Sequence, residues 1–131
     1  MNLMDEKTKY WIDISDYDLQ TAKAMHETKR YVYVGFMCHQ VIEKILKGHC
    51  VKVTNQMPPY IHNLNILSKK SGVFDTLSDE HKALLNVLEP LNIEARYPSY
   101  KNKIFKLMTG EKSKQILKQT EELQKWLKEK L

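Results

Sequence analysis

Gln40, Glu43 and Lys47 follow one another at helical spacing in the run Phe36-Met37-Cys38-His39-Gln40-Val41-Ile42-Glu43-Lys44-Ile45-Leu46-Lys47-Gly48. An amide, a carboxylate, an ammonium and the His39 imidazole in two turns of helix can hydrogen-bond a polar ligand or one another. A second group is Arg96-Tyr97-Pro98-Ser99-Tyr100. A guanidinium pairs bidentately with phosphate oxygens and keeps its charge, and a tyrosine ring can stack on a base. The candidate binding residues are therefore Arg96, Tyr97, Tyr100, Gln40, Glu43, Lys47 and His39, for a ligand with phosphate and a flat ring. Each has a plain structural alternative. Glu43 and Lys47 have the favourable i,i+4 order of a surface ion pair worth about 0.2–0.5 kcal/mol. Arg96 can equally pair with Glu94 or Glu43 while the tyrosines cover the end of the fold. Gln40 and Glu43 share a face with Phe36, which points to partial burial and a hydrogen-bonding duty.

Other chemistries lack their residues. Cys38-His39 and His49-Cys50 are adjacent pairs, and neighbours on a helix point about 100° apart, so neither makes a nucleophile dyad. No Cys-x-x-Cys or His-Glu-x-x-His spacing occurs, and Cys38 falls among apolar positions as a small hydrophobe does. There is no glycine-rich phosphate loop and no Gly-x-Ser-x-Gly elbow. The sequence thus assigns no catalytic residue, no metal and no cofactor.

The elements that must position these groups are helices. From Asp5 to Glu27 the residues Trp11, Ser15, Leu19, Ala22 and Met25 recur at spacings of three and four. From Tyr31 to Val53, Val34, Cys38, Val41, Ile42, Ile45 and Leu46 make one apolar arc, and Val32, Phe36 and Cys50 add a second. A helix apolar on two faces belongs at the centre of a bundle. The segment Thr54-Asn55-Gln56-Met57-Pro58-Pro59 ends that helix, since two prolines remove donors and push the preceding residue out of the α region. A short helix is expected over 61–70, begun or capped by His62 and stopped at Ser71-Gly72. Ser78-Asp79-Glu80 opens another, with Leu84, Leu85 and Leu88 inward. The last runs from Glu111 to Lys130 on Ile116, Thr120, Leu123 and Leu127, with Trp126 at the edge. Leu91 to Met108 reads as too polar and proline-bound for a core helix, hence as a loop segment. The expected fold is all-α, an up-and-down bundle of four to five helices in one domain spanning residues 1–131.

Composition agrees with that reading. Of 131 residues 42% are hydrophobic, enough for one core, and four glycines and four prolines are too few for a β-sandwich. The opening MNLMDEKTKYW has no apolar signal-like region and no run of about 18 apolar residues follows, so no membrane contact and a cytoplasmic location are expected. Cys38 and Cys50, 12 apart on one helix, are about 18 Å apart and should remain thiols. Residues 101–131 hold nine lysines against four glutamates, which accounts for the whole net charge of +5. Such a face suits phosphates, an acidic partner or plain solvation.

The run Phe36 to Gly48 quoted above, with Pro58-Pro59, His62-Asn63-Leu64 and Ala95-Arg96-Tyr97-Pro98, resembles the HEPN domain (higher eukaryotes and prokaryotes nucleotide-binding). The resemblance extends from the Trp11…Asp18-Leu19…Ala22 helix to the C-terminal helix. It implies a homodimeric four-to-five-helix bundle that binds nucleotide or RNA. It also implies a minimal nucleotidyltransferase protein as partner, in pairs proposed as toxin–antitoxin systems. Ribonucleases of this family carry an Arg, a polar residue and, after four to six intervening positions, a His. Here Arg96 matches, Tyr97 follows, and Lys101, Asn102 and Lys103 stand where the histidine belongs. Lysine and asparagine do not replace an imidazole as general acid–base. Two rival expectations follow: a divergent metal-independent ribonuclease in which His39 or His62 takes the missing role, and a purely regulatory interaction subunit.

Overall fold

Two long apolar stripes joined by three polar residues must fold back on one another, and they do. The computed structural model describes residues 3–92 and 98–131. In it α1 (Leu3–Glu27) turns at 28–30 into α2 (Tyr31–Thr54), and the two pack along their length. Val34, Cys38, Val41, Ile42 and Ile45 are wholly inaccessible to solvent. The two-faced pattern has the predicted consequence: α2 touches α1, α3 (Leu64–Lys70), α4 (Asp79–Leu88), α5 (Pro98–Leu107) and α6 (Gly110–Glu129). Polar side chains fasten this centre. Ser15 Oγ donates to the Val41 carbonyl at 2.8 Å, Gln124 Nε2 donates to Ser15 Oγ at 3.1 Å, and His49 Nε2 donates to the Leu127 carbonyl at 2.8 Å.

Local signals fix the ends. Asn55, with φ 57°, closes α2, a left-handed conformation that asparagine tolerates. Asn63, rather than His62, caps α3: its side chain accepts from the Ile66 N–H at 2.9 Å. Gly72 (φ +81°) follows the end of α3, and Ser78 forms a capping box with His81 at the start of α4.

The all-α class holds, but the helices are six among the described residues, against the four to five expected. The difference is α5, which occupies part of the stretch read as a loop. Pro98 is its first residue, where a fixed φ and a missing N–H cost nothing. Among the described side chains Ile104, with Met108 just past its end, is buried, too little to make a visible stripe. A short 3-10 turn, Glu89–Leu91, extends α4 and presses on α2 at Gly35. A β-carbon there would stand 2.8 Å from Leu91 Cδ1, so glycine permits the approach.

Candidate functional site

Glu43 projects from the middle of α2 and is completely buried. Its Oε2 lies 3.2 Å from Lys47 Nζ and 3.4 Å from Lys44 Nζ, and its Oε1 accepts from His62 Nδ1 at 3.0 Å. The Glu43–Lys47 pair is therefore not the exposed ion pair that its spacing also allowed: the Lys47 side chain is only 9% accessible. The i,i+4 rule is silent about which face is covered, and here α1 and the 55–63 loop cover it. Lys47 Nζ also stands 5.7 Å from the Trp11 ring and 5.9 Å from that of Tyr60, so two aromatic faces flank the ammonium.

Electrostatics follow from this packing. Burial pushes the Glu43 carboxyl upward, but the Lys44 and Lys47 charges and the hydrogen bonds from His62 and Lys47 outweigh it and hold it below the usual range. Asp18 on α1 is raised, first by burial, with Lys44 opposing and Glu43 adding. The two acids of this region are thus pushed in opposite directions.

Gln40 links the network to the next part of the chain. Its Oε1 accepts from Lys44 Nζ at 3.0 Å and its Nε2 donates to Asn92 Oδ1 at 2.9 Å. Asn92 is the last described residue before the segment that holds Arg96 and Tyr97. Those two candidates lie outside the described residues, as does the Tyr100 side chain.

His39 is sealed in the core. Its Nδ1 is 3.7 Å from Glu43 Oε1 and its Nε2 is 3.6 Å from Glu89 Oε1, too long for hydrogen bonds, and neither nitrogen has a partner. Glu89 Oε2 meanwhile accepts from the Leu64 N–H at 2.9 Å, at the start of α3. His39 therefore stands behind the site, between two carboxylates, and not on an open face. Of the sequence candidates, Gln40, Glu43, Lys47 and His39 come together.

Sequence reading missed Glu89, Asn92 and the position of His62. His62 has a side chain 55% accessible and meets Glu43 from 19 residues away through a loop stiffened by Pro58-Pro59, a distance no periodicity reports. Among the described residues no group of three or more His, Cys, Asp or Glu is placed to hold a metal ion, and no helix is long and apolar enough to cross a membrane.

A helical bundle with a buried acid–lysine–histidine network on its central helix, tied through Gln40 to Asn92, is the class this geometry defines. The family model for the HEPN domain matches residues 8–131, and the chain belongs to that family. No curated protein and no solved structure matches it.

Proposed function

We propose that the chain is a single-domain nucleotide- or RNA-binding module that acts as a homodimer with a minimal nucleotidyltransferase partner, in the manner of a toxin–antitoxin pair. The observation that carries this reading is the Gln40–Asn92 hydrogen bond of 2.9 Å, which ties the polar side of α2 to the residue leading into Ala95-Arg96-Tyr97-Pro98. His62 and Lys44 supply donors at the accessible edge of the network, Arg96 supplies the phosphate clamp, and Tyr97 and Tyr100 stack on a base. Glu43 and Lys47 act from inside by holding those groups, with His39 packed behind them. For the second copy, a groove of about 410 Å³ lined by Thr21, Met25, Arg30, Tyr33, Phe36 and Met37 offers an apolar surface between α1 and α2. Binding of a short single-stranded RNA should weaken about tenfold in Arg96→Ala, the scale of a lost charge-assisted contact. Equal affinities would remove the arginine from the site.

One observation favours a second reading, the metal-independent ribonuclease. Burial excludes His39 as a direct acid–base, but His62 gives its Nδ1–H to Glu43 and is open to solvent. A carboxylate that engages one ring nitrogen fixes the orientation of the other. Nε2 would take the proton of a 2′-hydroxyl as that oxygen attacks phosphorus and the 5′-oxygen leaves. Fragments ending in 2′,3′-cyclic phosphate, formed by the wild type and lost in His62→Ala, are the expected product; RNA recovered intact from prolonged incubation sets this reading aside.

A further inference from the structure

The loop between α2 and α3 is held to the bundle by few contacts. From Lys52 to Asn63 no residue is buried, and between Met57 and His62 no backbone group hydrogen-bonds another among the described residues. Three side chains seat it: His62 donates to Glu43 Oε1 at 3.0 Å, Tyr60 stands 5.9 Å from Lys47 Nζ, and Ile61 packs half-buried against the core. Space lies on both sides of it. A cleft of about 320 Å³ runs between Met57 and the Tyr10-Trp11 stretch of α1. Another, of about 340 Å³, undercuts the loop toward α3, with Met57 and Pro59 on one side and Cys50 and Lys70 on the other.

The loop is stiff in its middle and jointed at its ends. Pro58 and Pro59 fix two successive φ angles. Asn55, at φ 57°, sits just past the last residue of α2, and Asn63 is the extended residue that caps α3. Residues at element ends are where a hinge absorbs its change of φ and ψ. What the loop covers is a matched pair of charges, the buried Glu43 carboxylate and the Lys47 ammonium 3.2 Å from it. Lifting the loop takes His62 from Glu43 and Tyr60 from Lys47 in one movement, and water reaches both charges. Neither is stranded, so the heavy penalty for breaking one side of a buried pair does not arise. Such an opening is local and leaves the packed helices in place.

We propose that residues 55–63 form a strap that swings as a unit about Asn55 and Asn63, latched by His62 on Glu43, and that its opening admits solvent to Lys47. The latch also decides whether His62 stands beside the network or away from it. A ligand that needs His62 in place binds the closed form alone, and its apparent affinity scales with the closed fraction. The strap follows from the loop's own contacts and does not depend on which ligand the site takes.

The test measures reagent access in the full chain at neutral pH by mass spectrometry, with an amine-acylating reagent for lysines and a thiol reagent for cysteines. In the wild type Lys47 should react far more slowly than the exposed Lys118. His62→Ala should speed Lys47 labelling about tenfold, the scale of one lost charge-assisted hydrogen bond. Cys50 should speed up with it, because Pro59 leaves the cavity that Cys50 lines, while Cys38 inside the bundle stays unreactive. His62→Gln, which keeps a donor toward Glu43, should return both rates toward wild type. Faster labelling of Lys47 alone overturns the strap and makes the imidazole a fixed shield. Rates unchanged at both Lys47 and Cys50 overturn the latch. Cys38 rising in step with them shows that the whole bundle unfolds and overturns the local opening.

Discussion

Truncating Glu43 to alanine should destabilise the protein far more than breaking a surface ion pair. The carboxylate is wholly buried and is shared by Lys47 at 3.2 Å, Lys44 at 3.4 Å and His62 at 3.0 Å. Lys44 and His62 reach water and can be hydrated once it is gone. Lys47 cannot: its side chain is 9% accessible, and turning outward breaks its contacts with Trp11 and Tyr60. Removing one member of a buried pair and stranding the other costs roughly 3–5 kcal/mol, and with two of three partners rescued by solvent the lower end, about 3 kcal/mol, is expected. For a chain of this length that is a fall in Tm of about 12 °C by calorimetry. The effect also has a pH signature. The folded carboxyl titrates below its ordinary value of 4.5, so its contribution is complete above that value and is lost as pH falls through the lower folded one. The gap between wild type and Glu43→Ala should stay constant from about pH 5 upward and close in stronger acid. Glu43→Leu combined with Lys47→Met, which removes both charges, should recover most of the loss. A cost below about 1 kcal/mol, or a gap indifferent to acid, would refute the buried-network reasoning.

Two further predictions concern groups away from the network. Burial holds His49 below its ordinary value of 6.5, with the Leu127 hydrogen bond opposing and Lys52 and Lys130 adding, so the fold stabilises the neutral ring. Stability should be full above about pH 6.5 and decline below it as the unfolded chain takes up a proton that the native ring resists; denaturant melts of His49→Gln should show a flatter slope there, the remainder coming from His81, which burial also lowers. Burial pushes the Cys38 thiol up to about 12, and raises Cys50 as well. A thiol reagent at neutral pH should therefore label neither cysteine in the native protein and both after unfolding, and rapid native labelling would contradict the burial of α2.

What was legible in the sequence was the arrangement of apolar side chains. Val34, Cys38, Val41 and Ile45 on one arc with Val32 and Cys50 on another require neighbours on both sides, and α2 has them. Ser78 and Gly72 marked helix ends because their chemistry is local. α5 was missed because Ile104 and Met108 give no repeating stripe and Pro98 looks like a breaker wherever it stands. The burial of Glu43 was half legible. Sharing a face with Phe36 hinted at it, but i,i+4 spacing to Lys47 is the same on a wet or a covered face. His62, Glu89 and Asn92 were illegible as partners of this helix, since their contacts depend on how loops return from 19 to 52 residues away.

That pattern bears on why the network exists at all. An apolar core of equal volume would be as stable or more so, so buried ion pairs are poor devices for stability alone. Here Glu43 and Gln40 of α2 each pass a contact to chain that leaves the helix. Glu43 holds His62 in the loop after α2, and Gln40 holds Asn92 before the Arg-Tyr-Pro stretch. Glu89, 3.6 Å from His39, holds the first turn of α3. Leucines at 40 and 43 would fill the same space without fixing where any of those segments stands. On the proposed reading, the central helix carries charge because it positions a site built from loops. The stability that Glu43 contributes is then a consequence of that positioning rather than its reason.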